Sequence, residues 1–155
     1  MRLIVHEGVK AALQAGRPVV ALESTIITHG LPRPINYEMA VAAQDQIRRV
    51  GAEPATIAIL DGRAHIGLDK SQLMCISDSD PARTIKAGRG SLAQVLAQGR
   101  GWIGGTTVSG TMALAQRAGI RIFATGGIGG VHRGAESCTF PMLLSHSFQS
   151  HGCVS

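Results

Sequence analysis

Two stretches of this 155-residue chain carry residue types that could do chemistry. The first is Glu23, which with Ser24 and Thr25 closes the short apolar run PVVAL of residues 18–22. A carboxylate at the end of a buried strand loses part of its hydration, and this raises its pKa toward the range where it can both give and take protons. The same position also suits a rim glutamate paired with an arginine. The second stretch is residues 123–134, FATGGIGGVHRG, with four glycines in five residues followed directly by His132 and Arg133. Around Gly129 and Gly130, backbone N–H groups can turn toward one point without Cβ interference, and His132 and Arg133 add side-chain donors. An anion such as phosphate suits that loop, although a tight turn between packed elements is the plainer reading. Neither named phosphate-loop pattern fits, because no Gly-Lys-Ser/Thr follows and His132 stands where a third glycine belongs.

Three further places are weaker. Lys86 lies at a junction between a short strand (84–86) and a helix (91–98), where it either faces a ligand or is a solvated charge. Residues 106–112, TTVSGTM, open a helix with Thr107 and Val108 at its start. Such a start presents free N–H groups and hydroxyls to an anion, or is an ordinary capped helix. His29 could touch a ligand or be a hydrogen-bonded loop residue. His146 and His151 do not share a helix face, which argues against a metal site there.

The elements that must position these groups follow from periodicity. Residues 5–15 have helical spacing and end at Gly16, and 18–22 is a buried parallel strand with its polar carboxyl end where open α/β sheets bind ligands. Residues 34–50 form a helix with Met39, Ala42, Ala43, Ile47 and Val50 on one face, stopped by Gly51. Residues 55–60 form a strand, Asp61-Gly62 a turn, 63–68 a short strand, and Asp69 caps a helix to residue 76. Residues 99–105, GRGWIGG, read as a glycine-dense loop, and 120–125 as a further buried strand. The alternation of helix and strand gives a layered α/β fold.

Composition narrows the function classes. Aromatics are 3% of residues and glycines number 20, which suits close-packed α/β elements better than a platform that stacks bases. The net charge is +5, but Lys and Arg are spread along the chain, so anionic small molecules fit better than nucleic acid. Cys75, Cys138 and Cys153 lack metal-ligand spacing and read as reduced thiols. With no apolar run approaching a membrane span and no signal-like start, a cytoplasmic protein with no membrane partner is expected.

Taken together, these blocks resemble the pseudouridine-5′-phosphate glycosidase family, also called indigoidine synthase A-like. The matching blocks are VVALESTIITHG (19–30), EPATIAILDG (53–62), HIGLD (65–69), GTTVSGTM (105–112) and GIRIFATGGIGGVHRGAE (119–136). The resemblance implies a three-layer α/β/α sandwich and reversible cleavage of the C–C glycosidic bond of pseudouridine 5′-phosphate to uracil and ribose 5-phosphate. It also implies a divalent metal such as manganese and a homotrimer. Residue by residue, it makes Glu23 the catalytic acid/base, and Lys86 and Val108 substrate contacts, with Thr107 in the same block. It makes His132 the phosphate-proximal histidine, in the loop with Arg133, Gly129 and Gly130.

The chain departs from the family pattern in several places. The Schiff-base lysine of the family lies in a later block resembling CAGAK, which is not in this sequence. Pro141 follows Phe140 where a metal-binding aspartate is expected, AGRGSL (87–92) replaces an SRRD-type segment, and GRGWIGG carries two extra residues. Resemblance stops at Glu136. The expectation is therefore residues 1–136 as the N-terminal part of the glycosidase domain, in a sheet cut short, and 137–155 as a divergent, weakly ordered tail. An uncovered sheet edge and apolar helix face should then promote association. The alternative function is a non-catalytic sugar-phosphate-binding protein, or a subunit that pairs with a full-length homologue.

Overall fold

A computed structural model describes residues 3–126 and 144–147. The architecture is α/β, with eight strands of the described residues in one mixed sheet. Strand β1 (Leu3–Val5) leads into helix α1 (Glu7–Gln14), whose first turn is capped by the His6 ring accepting from the Gly8 N–H. Gly16, at φ +66, turns the chain into β2 (Val19–Leu22). Helix α2 (Ile35–Arg49) then crosses to β3 (Glu53–Leu60). Asp61 and Gly62 both take positive φ, 51° and 72°, as a tight primed hairpin turn requires, and deliver β4 (Arg63–Ile66) antiparallel to β3. Helix α3 (Lys70–Ser77) opens on a capping box between Asp69 and Gln72. Next come β5 (Thr84–Ala87), α4 (Leu92–Ala97), β6 (Ile103–Thr106), α5 (Val108–Arg117) and β7 (Ile122–Thr125).

Strand β3 is the spine. Its first half pairs parallel with β2, and β2 pairs parallel with β7. Its second half pairs antiparallel with β6, which pairs parallel with β5. Alternate β3 side chains face opposite layers. Ala55 and Ile57 pack with Val9, Ala12 and Leu114 of α1 and α5, and Ile59 packs with Val95 of α4. Ala58 on the other face packs with Ala40 of α2 and with Leu73 and Ile76 of α3. Helices thus cover both faces, which gives the three layers expected. Ile57, Leu73, Ile76 and Leu114 are fully buried, each burial being worth about 1.5–3 kcal/mol.

Several expectations are corrected. Residues 103–105 of the supposed glycine loop belong to strand β6. The glycines serve close packing there: a Cβ on Gly104 would lie 2.6 Å from Val95 Cγ1, and one on Gly105 would lie 2.1 Å from Thr28 Oγ1. The buried face of α2 is Asn36, Ala40, Gln44 and Ile47, while Val50 is 78% exposed. Periodicity missed it because two of these residues are polar and their amides are satisfied internally: Asn36 donates to the Ile27 and Ser77 carbonyls, and Gln44 donates to Thr56 Oγ1 and the Leu68 carbonyl. Within the tail, Leu144–Ser147 forms β8, antiparallel to β7, so the edge expected to stay bare is paired. The apolar α5 face is not bare either: Leu114, Ala115, Ile120 and Phe123 are buried, beside a groove of about 570 Å³ that Met112 also lines.

Candidate active site

The two parallel strand pairs approach β3 from opposite ends, so their carboxyl ends meet. β2 stops pairing at Leu22–Thr56, and β6 pairs from Ala58–Gly105. Between them lies Ile57. Its carbonyl accepts hydrogen bonds from Ser24 Oγ at 2.7 Å and Thr106 Oγ1 at 2.6 Å. Ser24 and Thr106 also bond to each other, with Ser24 N–H to the Thr106 carbonyl at 3.1 Å and Thr106 N–H to Ser24 Oγ at 2.8 Å. Glu23 and Thr107 therefore flank one buried junction.

Glu23 is half-buried at the end of β2 and accepts a hydrogen bond from Thr125 Oγ1 at the end of β7. Loss of hydration pushes its carboxyl above the ordinary glutamate range, and the Thr125 bond, which favours the ionised form, opposes this in part. No ion pair to an arginine involves Glu23 among the described residues, so the rim-glutamate alternative has no partner there. A carboxyl whose pKa is raised in this way is suited to hold and release a proton.

After Thr25 the chain makes a π-helical turn, Ile26–Gly30, of a kind common at functional sites. The turn lies across β6. Thr25 Oγ1 donates to the Gly105 carbonyl at 3.0 Å, and Thr28 occupies the space that a Gly105 side chain would fill. Thr28 Oγ1 also lies 2.7 Å from His29 Nδ1, and His29 bonds the Thr84 backbone on β5. Burial, then the neighbouring Lys86 cation, lowers the His29 pKa, and the bond to the Thr84 backbone opposes this in part. Lys86 itself is exposed on β5, in register with Gly105. Thr107 caps α5, its hydroxyl accepting from the Gly110 N–H, and Val108 packs half-buried against the first core cluster.

Glu23, Lys86, Thr107 and Val108 thus sit on strand ends and a helix start that converge around the Ile57 junction. Gly129, Gly130, His132 and Arg133 lie outside the described residues. The reading of residues 106–112 as an array of free hydroxyls is corrected. Thr106 and Thr111 are fully buried and bonded inside the fold, and Ser109 Oγ accepts from the Arg89 N–H. Sequence reasoning missed Thr125 and Ser24 as partners of the site, and left His29 open. Their common signal is a hydroxyl set directly at the end of an apolar strand.

Residues 8–142 match the family model described as indigoidine synthase A like protein. The chain belongs to the indigoidine synthase A-like family. Within it, a pseudouridine-5′-phosphate glycosidase from Rhodospirillum centenum is 54% identical over 87% of this chain and 41% of its own. Among solved structures, the prealnumycin C-glycosynthase AlnA, determined in complex with ribulose 5-phosphate, superposes with a TM-score of 0.72 at 39% identity. That match covers 88% of this chain and 43% of AlnA. An indigoidine synthase A-like protein from Thermotoga maritima gives a TM-score of 0.67 at 34% identity, covering 85% of this chain and 42% of its own. The chain spans about two fifths of the length of the curated relatives it matches.

No three His, Cys, Asp or Glu side chains among the described residues converge so as to hold a metal, and Pro141 lies outside those residues. No helix among them is long and apolar enough to cross a membrane.

Proposed function

We propose that this chain supplies the acid/base half of a pseudouridine-5′-phosphate glycosidase site, for reversible cleavage of the C–C bond between ribose 5-phosphate and uracil. The observation that carries this reading is Glu23, a carboxyl of raised pKa bonded to Thr125 where the carboxyl ends of β2, β6 and β7 meet. A C–C glycosidic bond has no good leaving group until the base is protonated at carbon and the sugar is opened. Each of those steps moves a proton, and a half-buried carboxyl can give and retrieve it. Lys86 and the start of α5 would contact the substrate, with Gly129, Gly130, His132 and Arg133 taking the phosphate.

Further parts of the reading are manganese as cofactor and a homotrimer, which rest on family resemblance, and a cytoplasmic setting and no nucleic-acid partner, which rest on composition and charge. No step is assigned to a metal here. The nucleophile that would trap the opened sugar belongs to the family's CAGAK-type block, which is not among these 155 residues.

The test mixes purified protein with uracil and ribose 5-phosphate, with and without manganese, and follows formation of pseudouridine 5′-phosphate. A Glu23→Ala variant is the control. Product that vanishes in the control supports the enzyme. The second reading is a sugar-phosphate-binding protein without turnover. Saturable ribose 5-phosphate binding with no product would support it, and absence of both product and binding would remove both readings.

A further inference from the structure

We propose that Ser24, Thr106 and Thr111 are positioning residues of this site, fixing Glu23 relative to Thr107 through the single carbonyl of Ile57. The proposal rests on the reading of Glu23 as the working carboxyl of the site.

The argument starts from a gap in the sheet. β2 and β6 meet end-on along β3, so no ladder of backbone bonds sets their relative position, and a single backbone bond, Ser24 N–H to the Thr106 carbonyl, joins their ends. Ile57, at the gap, has no residue opposite it on β2 or β6, and two side-chain hydroxyls take up its carbonyl instead. Proton counting fixes the direction of the network. Each hydroxyl has one proton. Those of Ser24 and Thr106 are both committed to Ile57, so the 3.3 Å contact between their oxygens carries none. Thr111, on α5, donates to Thr106 Oγ1 at 2.8 Å, and Ser24 Oγ accepts from the Thr106 N–H. Every donor has one acceptor.

All three side chains are 0% exposed. Valine would fill the space of either threonine with no hydroxyl to satisfy, so packing alone does not call for these groups. A fully bonded buried network rigidifies what it joins. Here it joins the residue after Glu23, the residue before Thr107 and the first turns of α5, which are the three edges of the site.

The test reads Glu23 rather than activity. In the full chain, the side-chain carboxyl of Glu23 is titrated by carbon-detected NMR in wild type, Thr106→Val and Thr106→Ser, with thermal melts alongside. The expected result is that Thr106→Val moves the Glu23 midpoint down toward the ordinary glutamate value, because a released carboxyl regains water. Thr106→Ser should restore the wild-type midpoint, and the distant Asp69 should titrate unchanged throughout. A Thr106→Val protein with lowered melting temperature and an unmoved Glu23 midpoint would overturn the proposal, leaving the network as packing only. Should Thr106→Val fail to fold, Thr111→Val removes the outer donor and is read by the same two outcomes. Ribose 5-phosphate binding to wild type is measured separately, so loss of the functional reading is distinguishable from loss of this one.

Discussion

Thr125 Oγ1 donates to Glu23 Oε1 across the β2–β7 pair, one residue past the last matched pair, Leu22 and Ala124. The bond favours the carboxylate and so counteracts the burial that raises the Glu23 pKa. Thr125→Val keeps the shape and removes the donor. The Glu23 midpoint should therefore rise further above that of wild type in an NMR titration. A midpoint that stays or falls would show that the hydroxyl does not govern the charge at this position.

Glu23 should also cost the fold stability at neutral pH. A raised native pKa means that the folded state holds its proton more tightly than the unfolded one. The proton-linked stability is complete below the unfolded pKa and is lost as pH rises through the folded one. Glu23→Gln removes the ionisation and can still accept from Thr125. Its melting temperature should exceed that of wild type at pH 7 and converge with it near pH 4. Equal melting temperatures at pH 7 would contradict the burial argument.

Gly105→Ala should collide with the π-helical turn, because the new Cβ would lie 2.1 Å from Thr28 Oγ1. Overpacking of this kind costs about 1–3 kcal/mol in urea unfolding. The loss should shrink in the double variant Gly105→Ala, Thr28→Ala, a coupling that a double-mutant cycle measures directly. An additive cycle would mean that the turn moves aside freely.

On helix α2, Gln44→Ala should destabilise by about 1–3 kcal/mol, since it leaves the buried Leu68 carbonyl and Thr56 hydroxyl without a donor from this side chain. Val50→Ser should change stability by no more than about 0.5 kcal/mol, because Val50 is 78% exposed. Chemical denaturation of the two variants tests the corrected helix face, and the reverse ranking would restore the hydrophobic one.

That pair also shows how far the sequence could be read. Strand β2 and Glu23 were legible because an apolar run ends abruptly in polar residues. The Asp61-Gly62 turn and the Asp69 cap were legible because their chemistry is local. The α2 face was not, since Asn36 and Gln44 are polar yet buried, and their partners lie on other elements. Strand β6 was hidden because Gly104 and Gly105 read as flexibility, whereas Val95, Ile59 and Thr28 crowd them. The junction at Ile57 joins residues up to 82 positions apart. No local pattern records a contact of that span.

The direction of β6 has a bearing on how this chain can vary. Its carboxyl end, Thr106, is held at Ile57, while its start at Ile103 follows the segment around Gly101 and Trp102. That segment is tied to the β3–β4 hairpin turn: Gly101 N–H donates to Asp61 Oδ1 at 2.7 Å, and Asp61 N–H donates to the Trp102 carbonyl. Residues 99–102 therefore lie on the rim farthest along β6 from Glu23. A strand anchored at one end can absorb length changes at the other, so insertions and deletions there can accumulate across evolution without shifting the carboxyl that the opposite end helps to place.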